Sequence, residues 1–355
     1  MATARGETVV EGVEGYYHCV SRCVRRAFLC GCDPYTGRSF EHRKAWVQAR
    51  LELLAAVFAL EISAFAVMSN HVHVVVRTRP DLAAGWSRED AARRWLVLSS
   101  RRGDGDGRPS PPAGAEISAL AGAEERIEEI RRRLGSVSWF MRCLNEPIAR
   151  RANKEDGCKG RFWEGRFYCQ ALRDESAVLA CMVYVDLNPV RAGAAESPEA
   201  SFFTGAYLRL AAERARERLK VLDEGRDRLT PARQRAIAWD EEKASGDEWL
   251  SPLGPGGPGD GQGGLDLSLR EYLALLDWTG RRLREGGPSV PPDGIAPIMA
   301  RFYLDRDHWL LLTRNYGDMF HRAAGRAETL REEARRSGLR WLHGLVAGRK
   351  VFLSA

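Results

Sequence analysis

The run "EISAFAVMSNHVHVVVRT", Glu61 to Thr78, limits what this chain can fold into more than any other stretch. It holds two segments rich in apolar and β-branched residues, parted by Ser69 and Asn70, and so predicts two antiparallel strands joined as a hairpin. Alternation along the second strand sends His71, His73, Val75 and Arg77 to one face, and Val72, Val74 and Val76 to the other. The valine face is expected to be buried, leaving the histidines on a face outside the core.

A single strand histidine is ordinarily a hydrogen-bonded structural residue. Two imidazoles side by side have the spacing to hold one divalent metal ion. Two other uses of such a pair do not match. A cupin-type oxygenase needs a Glu soon after the second His, and here "VVVRT" follows His73; a hydrolase with three alternating histidines needs one at position 75, which is Val75.

A second stretch, "YVDLNPVRAG", supplies possible partners. Asp174 is a predicted N-cap, and the helix it starts is expected to stop near Asn188, because Pro189 disfavours helix in the residue before it. Tyr184 and Asn188 are four apart and share a helix face, whereas Asp186 points away. Tyr184 alone reads equally well as a core aromatic with a wet tip, and Asn188 alone as a helix-end residue. Two imidazoles, an amide and a phenol together suit phosphoryl transfer by a tyrosine nucleophile. A phenol with a pKa of about 10 is a weak nucleophile at neutral pH. A divalent cation on a phosphate oxygen offsets charge and helps the leaving oxygen depart. Two imidazoles and an amide oxygen leave coordination positions open, which fits Mg²⁺ or Mn²⁺ better than a closed zinc site.

At 355 residues the chain is long enough for two domains. "YYHCVSRCV" reads as a first strand, and Ser39 as the cap of a helix with apolar residues at Trp46, Val47, Leu51, Leu54, Val57 and Phe58. A helix is expected from Trp86 to about Ser100, an exposed insert over about 101–122, helices over 123–134 and 137–152, and a strand with turns in "GCKGRFWEGRFYCQAL". Residues 1–200 are read as the catalytic domain, 201–250 as a helical extension, 251–266 as a Gly/Pro linker and 267–355 as a helical region to which the sequence assigns no role.

The net charge of +6 gives a mild bias toward a polyanionic partner. The excess is placed in the front half: Arg22–Arg50 carries seven basic residues against two acidic, and Val137–Arg173 eight against four. No apolar leader is present, and the longest apolar tract, Leu51–Met68, is broken by Glu52, Glu61 and Ser63, so a cytoplasmic protein without a membrane partner is expected. The eight cysteines read as reduced thiols; Cys19, Cys23, Cys30 and Cys32 lack the paired C-x2-C spacing of strong zinc sites.

"MSNHVHVVV" resembles the histidine-hydrophobic-histidine signature of single-tyrosine transposases. "GRFWEGRF" followed by "YVDLNPVRAG" resembles the branch of REP-associated tyrosine transposases, and "YYHCVSRCVRR" its first strand, so the resemblance spans about Gly15 to Ala195. It implies an α+β fold: a ferredoxin-like or RRM-like palm whose antiparallel sheet carries the histidines beneath a tyrosine-bearing helix, followed here by a mostly helical C-terminal region. It implies single-stranded DNA beside a hairpin as substrate, and DNA transposition as the activity. His71 and His73 match the metal ligands, Asn188 the third ligand, and Tyr184 the nucleophile that forms a 5′-phosphotyrosine and frees a 3′-hydroxyl. The covalent link conserves bond energy, so rejoining needs no ATP.

Arg22, Arg25, Arg26, Lys159, Arg161 and Arg166 are the expected DNA-backbone contacts, with Trp163 or Phe167 as stacking partners. In the tail, Trp278, Arg281, Arg282, Arg284, Trp309 and Trp341 offer further aromatic and basic groups, the aromatics being expected mainly in helix cores. A monomer or homodimer is expected. Two rivals stay open: a domesticated DNA-binding regulator that no longer cuts, and a metal phosphodiesterase that uses water.

Overall fold

The computed structural model describes residues 8–24, 29–33, 36–99, 110–223, 231–254, 265–286 and 290–354. β1 (Gly15–Arg22) leads through α1 (Arg43–Val57) to the hairpin, formed as β2 (Leu60–Val67) and β3 (His71–Thr78). Five helices follow, α2 (Pro80–Gly85), α3 (Arg88–Ser99), α4 (Gly114–Ala121), α5 (Glu124–Leu134) and α6 (Val137–Glu155), before β4 (Tyr168–Leu172). The remainder is α7 (Glu175–Asp186), α8 (Asn188–Arg191), α9 (Gly205–Asp223), α10 (Pro231–Ala244), α11 (Leu269–Glu285), α12 (Ala296–Arg301), α13 (Trp309–Met319), β5 (Ala323–Ala324), α14 (Ala327–Arg336) and α15 (Leu345–Val351). The fold is α+β, with a mostly helical C-terminal region. The five-stranded sheet runs β2-β3-β1-β4-β5, and its first four strands take the order of a ferredoxin-like βαββαβ unit.

The chain divides into two compact units: Met1–Ile62, Ser69–Val72 and Val76–Ala171; and Ser63–Met68, His73–Val75 and Leu172–Ala355. In the first, the Cys23 amide donates to the Asn70 carbonyl at 2.9 Å and the Thr78 hydroxyl to the Val13 carbonyl at 2.9 Å, so β1 and β3 run antiparallel. Tyr17, Cys19, Ser21 and Cys23 point to the buried side of β1, and α1 buries Val47, Leu51 and Leu54. The helix begins three residues later than the Ser39 cap implies, with His42 at the cap position. Phe40 is held in the preceding loop by the hydrogen bond its amide donates to the Gly31 carbonyl, 2.7 Å. Arg43, fully buried, reaches Glu155 at 2.7 Å and Asp156 at the end of α6, and this ion pairing sets the helix start. Of the exposed insert read over 101–122, residues 101–109 lie outside the described residues, and the rest is mostly exposed but contains a helix, α4 over 114–121, whose first turn is closed by the Glu116 carboxylate on the Ala113 amide, 3.0 Å.

In the second unit, α7 starts as the sequence predicts: the Asp174 carboxylate accepts from the Ala177 amide at 2.9 Å. Its other oxygen accepts from the Arg326 amide (2.7 Å) and the Thr329 hydroxyl (2.6 Å), tying this cap to α14. Helix α7 ends earlier than expected, at Asp186; Leu187 leaves helical geometry, and Asn188 opens the separate turn α8 with Pro189 in its first turn. Proline, lacking an N–H, is tolerated there but would break a continuing helix. α8 packs on α11 and α13 on α7. The linker read over 251–266 lies largely outside the described residues. Among the described residues, no helix is long and apolar enough to cross a membrane.

Candidate nucleophile and metal site

The histidine face of β3 differs from expectation. Every residue of the strand after His71 is buried, valines and opposite face alike, so the histidines do not face solvent. The sequence shows alternation but cannot show that both faces are covered.

In the first unit, His71 Nδ1 lies within hydrogen-bond reach of the Asn70 side-chain oxygen. With the amide oxygen turned to the ring, Nδ1 is the donor in this contact. Burial, and then the charge of Arg22, push the His71 pKa down to about 4, so its imidazole is neutral at pH 7. A third imidazole belongs to the same neighbourhood. His18 on β1 is buried, also pushed down to about 4, chiefly by burial; a hydrogen bond with Gln170 opposes this and the field of His71 adds to it. The sequence reading passed over His18, although its place on a strand rich in aromatic and β-branched residues was a usable signal.

In the second unit, His73 is 4% exposed, and its Nε2 lies 2.8 Å from Asn188 Nδ2. The Tyr184 ring meets the same imidazole edge-on, centroids 5.9 Å apart. Residues over a hundred positions apart in sequence thus form one group. Two donor atoms 2.8 Å apart approximate the edge of an octahedron around a cation with bonds of 2.0–2.1 Å, about 3 Å. A half-turn of the Asn188 amide presents its oxygen to such an ion. So turned, His73 and Asn188 would offer one nitrogen and one oxygen ligand to a divalent cation, without a carboxylate: among the described residues no three His, Cys, Asp or Glu side chains gather for a metal. Of the four clustered cysteines, Cys19, Cys23 and Cys30 are buried and Cys32 is exposed.

The tail supplies part of this neighbourhood, which no local pattern announced. The Tyr316 ring lies 5.0 Å from that of Tyr184, tilted by 32°. A Cβ added at Gly317 would sit 3.1 Å from the Tyr184 hydroxyl, so glycine leaves the phenol its room. The Arg191 guanidinium lies over the Tyr184 ring, 4.3 Å from the centroid. Asp186 points away from Tyr184, as the helical spacing predicts. It is fully buried, accepting from the Tyr272 hydroxyl at 2.5 Å and the Ala206 amide at 3.1 Å. Burial raises its carboxyl to about 6, with Arg209 opposing. Arg209 donates to the carbonyls of Ser63 (3.0 Å) and Ser251 (2.9 Å). This network braces the end of α7.

The expected DNA contacts lie in the first unit. Arg22, Lys159, Arg161 and Arg166 are exposed, while Arg25 and Arg26 lie outside the described residues. Trp163 is half-buried, its indole N–H donated to the Asn145 carbonyl at 2.9 Å, and Phe167 is buried. In the tail, Trp278 and Trp309 are core residues and Trp341 is 59% exposed. The charge excess lies in the front half, as expected: residues 1–177 hold 28 basic against 23 acidic residues and residues 178–355 hold 26 against 25, although the last 35 alone hold eight against three.

The strand order defines an α+β protein, and in its second unit one histidine, His73, is grouped with an amide and a phenol. No family model matches the chain, and no curated protein matches it in sequence. Among solved structures, a REP-associated tyrosine transposase bound to a REP hairpin is similar, with 15% identity over 57% of this chain and 82% of that one and a TM-score of 0.33.

Proposed function

We propose that this protein is a metal-dependent single-strand DNA nicking and joining enzyme, a tyrosine transposase acting through a 5′-phosphotyrosine. The observation that carries the reading is the grouping of His73, Asn188 and Tyr184, with His73 Nε2 and the Asn188 amide 2.8 Å apart. In this reading Tyr184 attacks a phosphodiester phosphorus, the P–O3′ bond breaks, and the phenol's proton is balanced by the one the 3′-oxygen takes up. His71, His73 and Asn188 would hold Mg²⁺ or Mn²⁺, which when bound supplies Lewis-acid stabilisation of charge on the phosphate oxygens. The chain's own groups prepare for this: burial keeps the His71 imidazole neutral, as a metal ligand must be, and Gly317 keeps space at the phenol. Arg22, Lys159, Arg161 and Arg166 are proposed to track the DNA backbone, with Trp163 beside them; Arg25 and Arg26 are assigned from sequence alone. The substrate class is single-stranded DNA adjoining a hairpin, the compartment the cytoplasm, and the acting form a monomer or homodimer.

Incubation with hairpin-containing single-stranded DNA and Mn²⁺, followed by denaturing electrophoresis, tests the reading. A protein–DNA adduct is expected with the native chain and none with Tyr184→Phe. Cleavage that persists in Tyr184→Phe would sink the tyrosine mechanism in favour of attack by water. Binding without cleavage would identify a non-cutting regulator.

A further inference from the structure

A cation rests against the proposed nucleophile. Arg191 follows Asn188 by three residues on α8, and its guanidinium lies 4.3 Å from the centroid of the Tyr184 ring. One nitrogen, Nη2, donates to the Arg314 carbonyl on α13 at 2.8 Å, fixing the plane of the group. The side chain is partly exposed, and among the described residues no carboxylate pairs with it. Several other arginines of this unit are paired with carboxylates: Arg173 with Glu333 at 2.9 Å, Arg216 with Asp247 and Arg218 with Asp240. A guanidinium has five N–H donors in a fixed fork, and the carbonyl of Arg314 takes one of them.

We propose that Arg191 is a catalytic residue whose free N–H groups bind a non-bridging oxygen of the scissile phosphate while the Tyr184 oxygen attacks. The proposal rests on the reading of Tyr184 as nucleophile. One phosphodiester is exchanged for another, so the net charge of the phosphate is the same before and after; charge accumulates on its oxygens only at the transition state. Arg191 stays protonated throughout and takes part in no proton transfer. Its contact with the Tyr184 ring sets the guanidinium beside the attacking group, and its bond to Arg314 removes part of the entropy cost of holding it there. A purely structural role, pinning α8 to α13, would use the Arg314 bond alone and leave the remaining donors without a task.

Single-turnover adduct formation at saturating DNA separates the two roles. Arg191→Ala is expected to slow the step roughly a hundredfold, the loss typical of one transition-state donor, while DNA affinity changes less than about threefold. Arg191→Lys, which keeps charge but loses the fork, should recover part of the rate, and added guanidinium ion should partly rescue Arg191→Ala. A methylphosphonate at the scissile position, with one non-bridging oxygen replaced by methyl, should slow the native enzyme far more than Arg191→Ala. Circular dichroism and thermal melting of both variants establish that they are folded. Equal methylphosphonate penalties in the native and Ala forms, or an unchanged rate in Arg191→Ala, would overturn the assignment while leaving Tyr184 as nucleophile. Absence of any adduct with the native enzyme removes both.

Discussion

The surroundings of Tyr184 and the segment Lys159–Arg166 handle charge in opposite ways. Around Tyr184, His73, Asn188 and Asp186 are buried and each is matched to a specific partner. In the other segment Lys159, Arg161 and Arg166 stand exposed, and Arg161 donates to the Glu164 carbonyl at 3.4 Å. Buried polar groups are expensive to misplace, so geometry there is fixed and suited to chemistry. Exposed cations keep their hydration and rotamer freedom, which suits contact with a flexible polyanion and contributes little to folding.

The sharpest way to break this contrast is at its buried end. His73→Ala removes the partner of the Asn188 amide and one proposed ligand, and adduct formation is expected to fall at least a hundredfold, about 3 kcal/mol or more. Retention of rate would separate the histidine from the chemistry.

Acid titration probes buried polarity next. The denatured chain takes up a proton on His18 near pH 6.5, whereas the folded chain keeps that imidazole neutral down to about pH 4. Stability is therefore full above about 6.5 and falls as pH drops toward 4, by about 3 kcal/mol for this group. Asp186, raised to about 6, works in the other direction over an overlapping window. Urea unfolding of His18→Gln against the native chain at pH 7 and pH 4.5 should show a flatter dependence in the variant.

Tyr272→Phe deletes one hydrogen bond to a carboxylate that stays buried, and should cost about 2 kcal/mol of stability. Gentle loss in this variant, under about 0.5 kcal/mol, would mean the brace on α7 comes from packing instead. The smallest effect belongs to the exposed segment. Arg161→Ala with Arg166→Ala should leave stability within about 0.5 kcal/mol, weaken single-stranded DNA binding by about 1 kcal/mol or more, and lower the salt slope by about 0.7 per lost contact. A changed melting temperature with unchanged binding would reverse the contrast.

Much of the local framework was legible in the sequence. Alternation located β3, the cap at Asp174 located the start of α7, and helical spacing turned Asp186 away from Tyr184. Asn188 shows where such reasoning ends. Spacing put it on the helix of Tyr184, but Leu187 breaks that helix, and Asn188 reaches His73 from the next turn instead.

By itself, the sequence determined the strand hairpin, the common face of His71 and His73, and the turn forced at Pro189, because each follows from backbone periodicity or sterics within a few residues. Tertiary structure alone decided that the histidine face is covered, that Asn188 touches His73, and that Tyr316, Gly317 and Arg191 surround the phenol. Apart from Arg191, which follows Tyr184 by seven residues, those contacts join segments far apart in the chain, where burial and hydrogen-bond satisfaction decide the partners and local patterning carries no record of them.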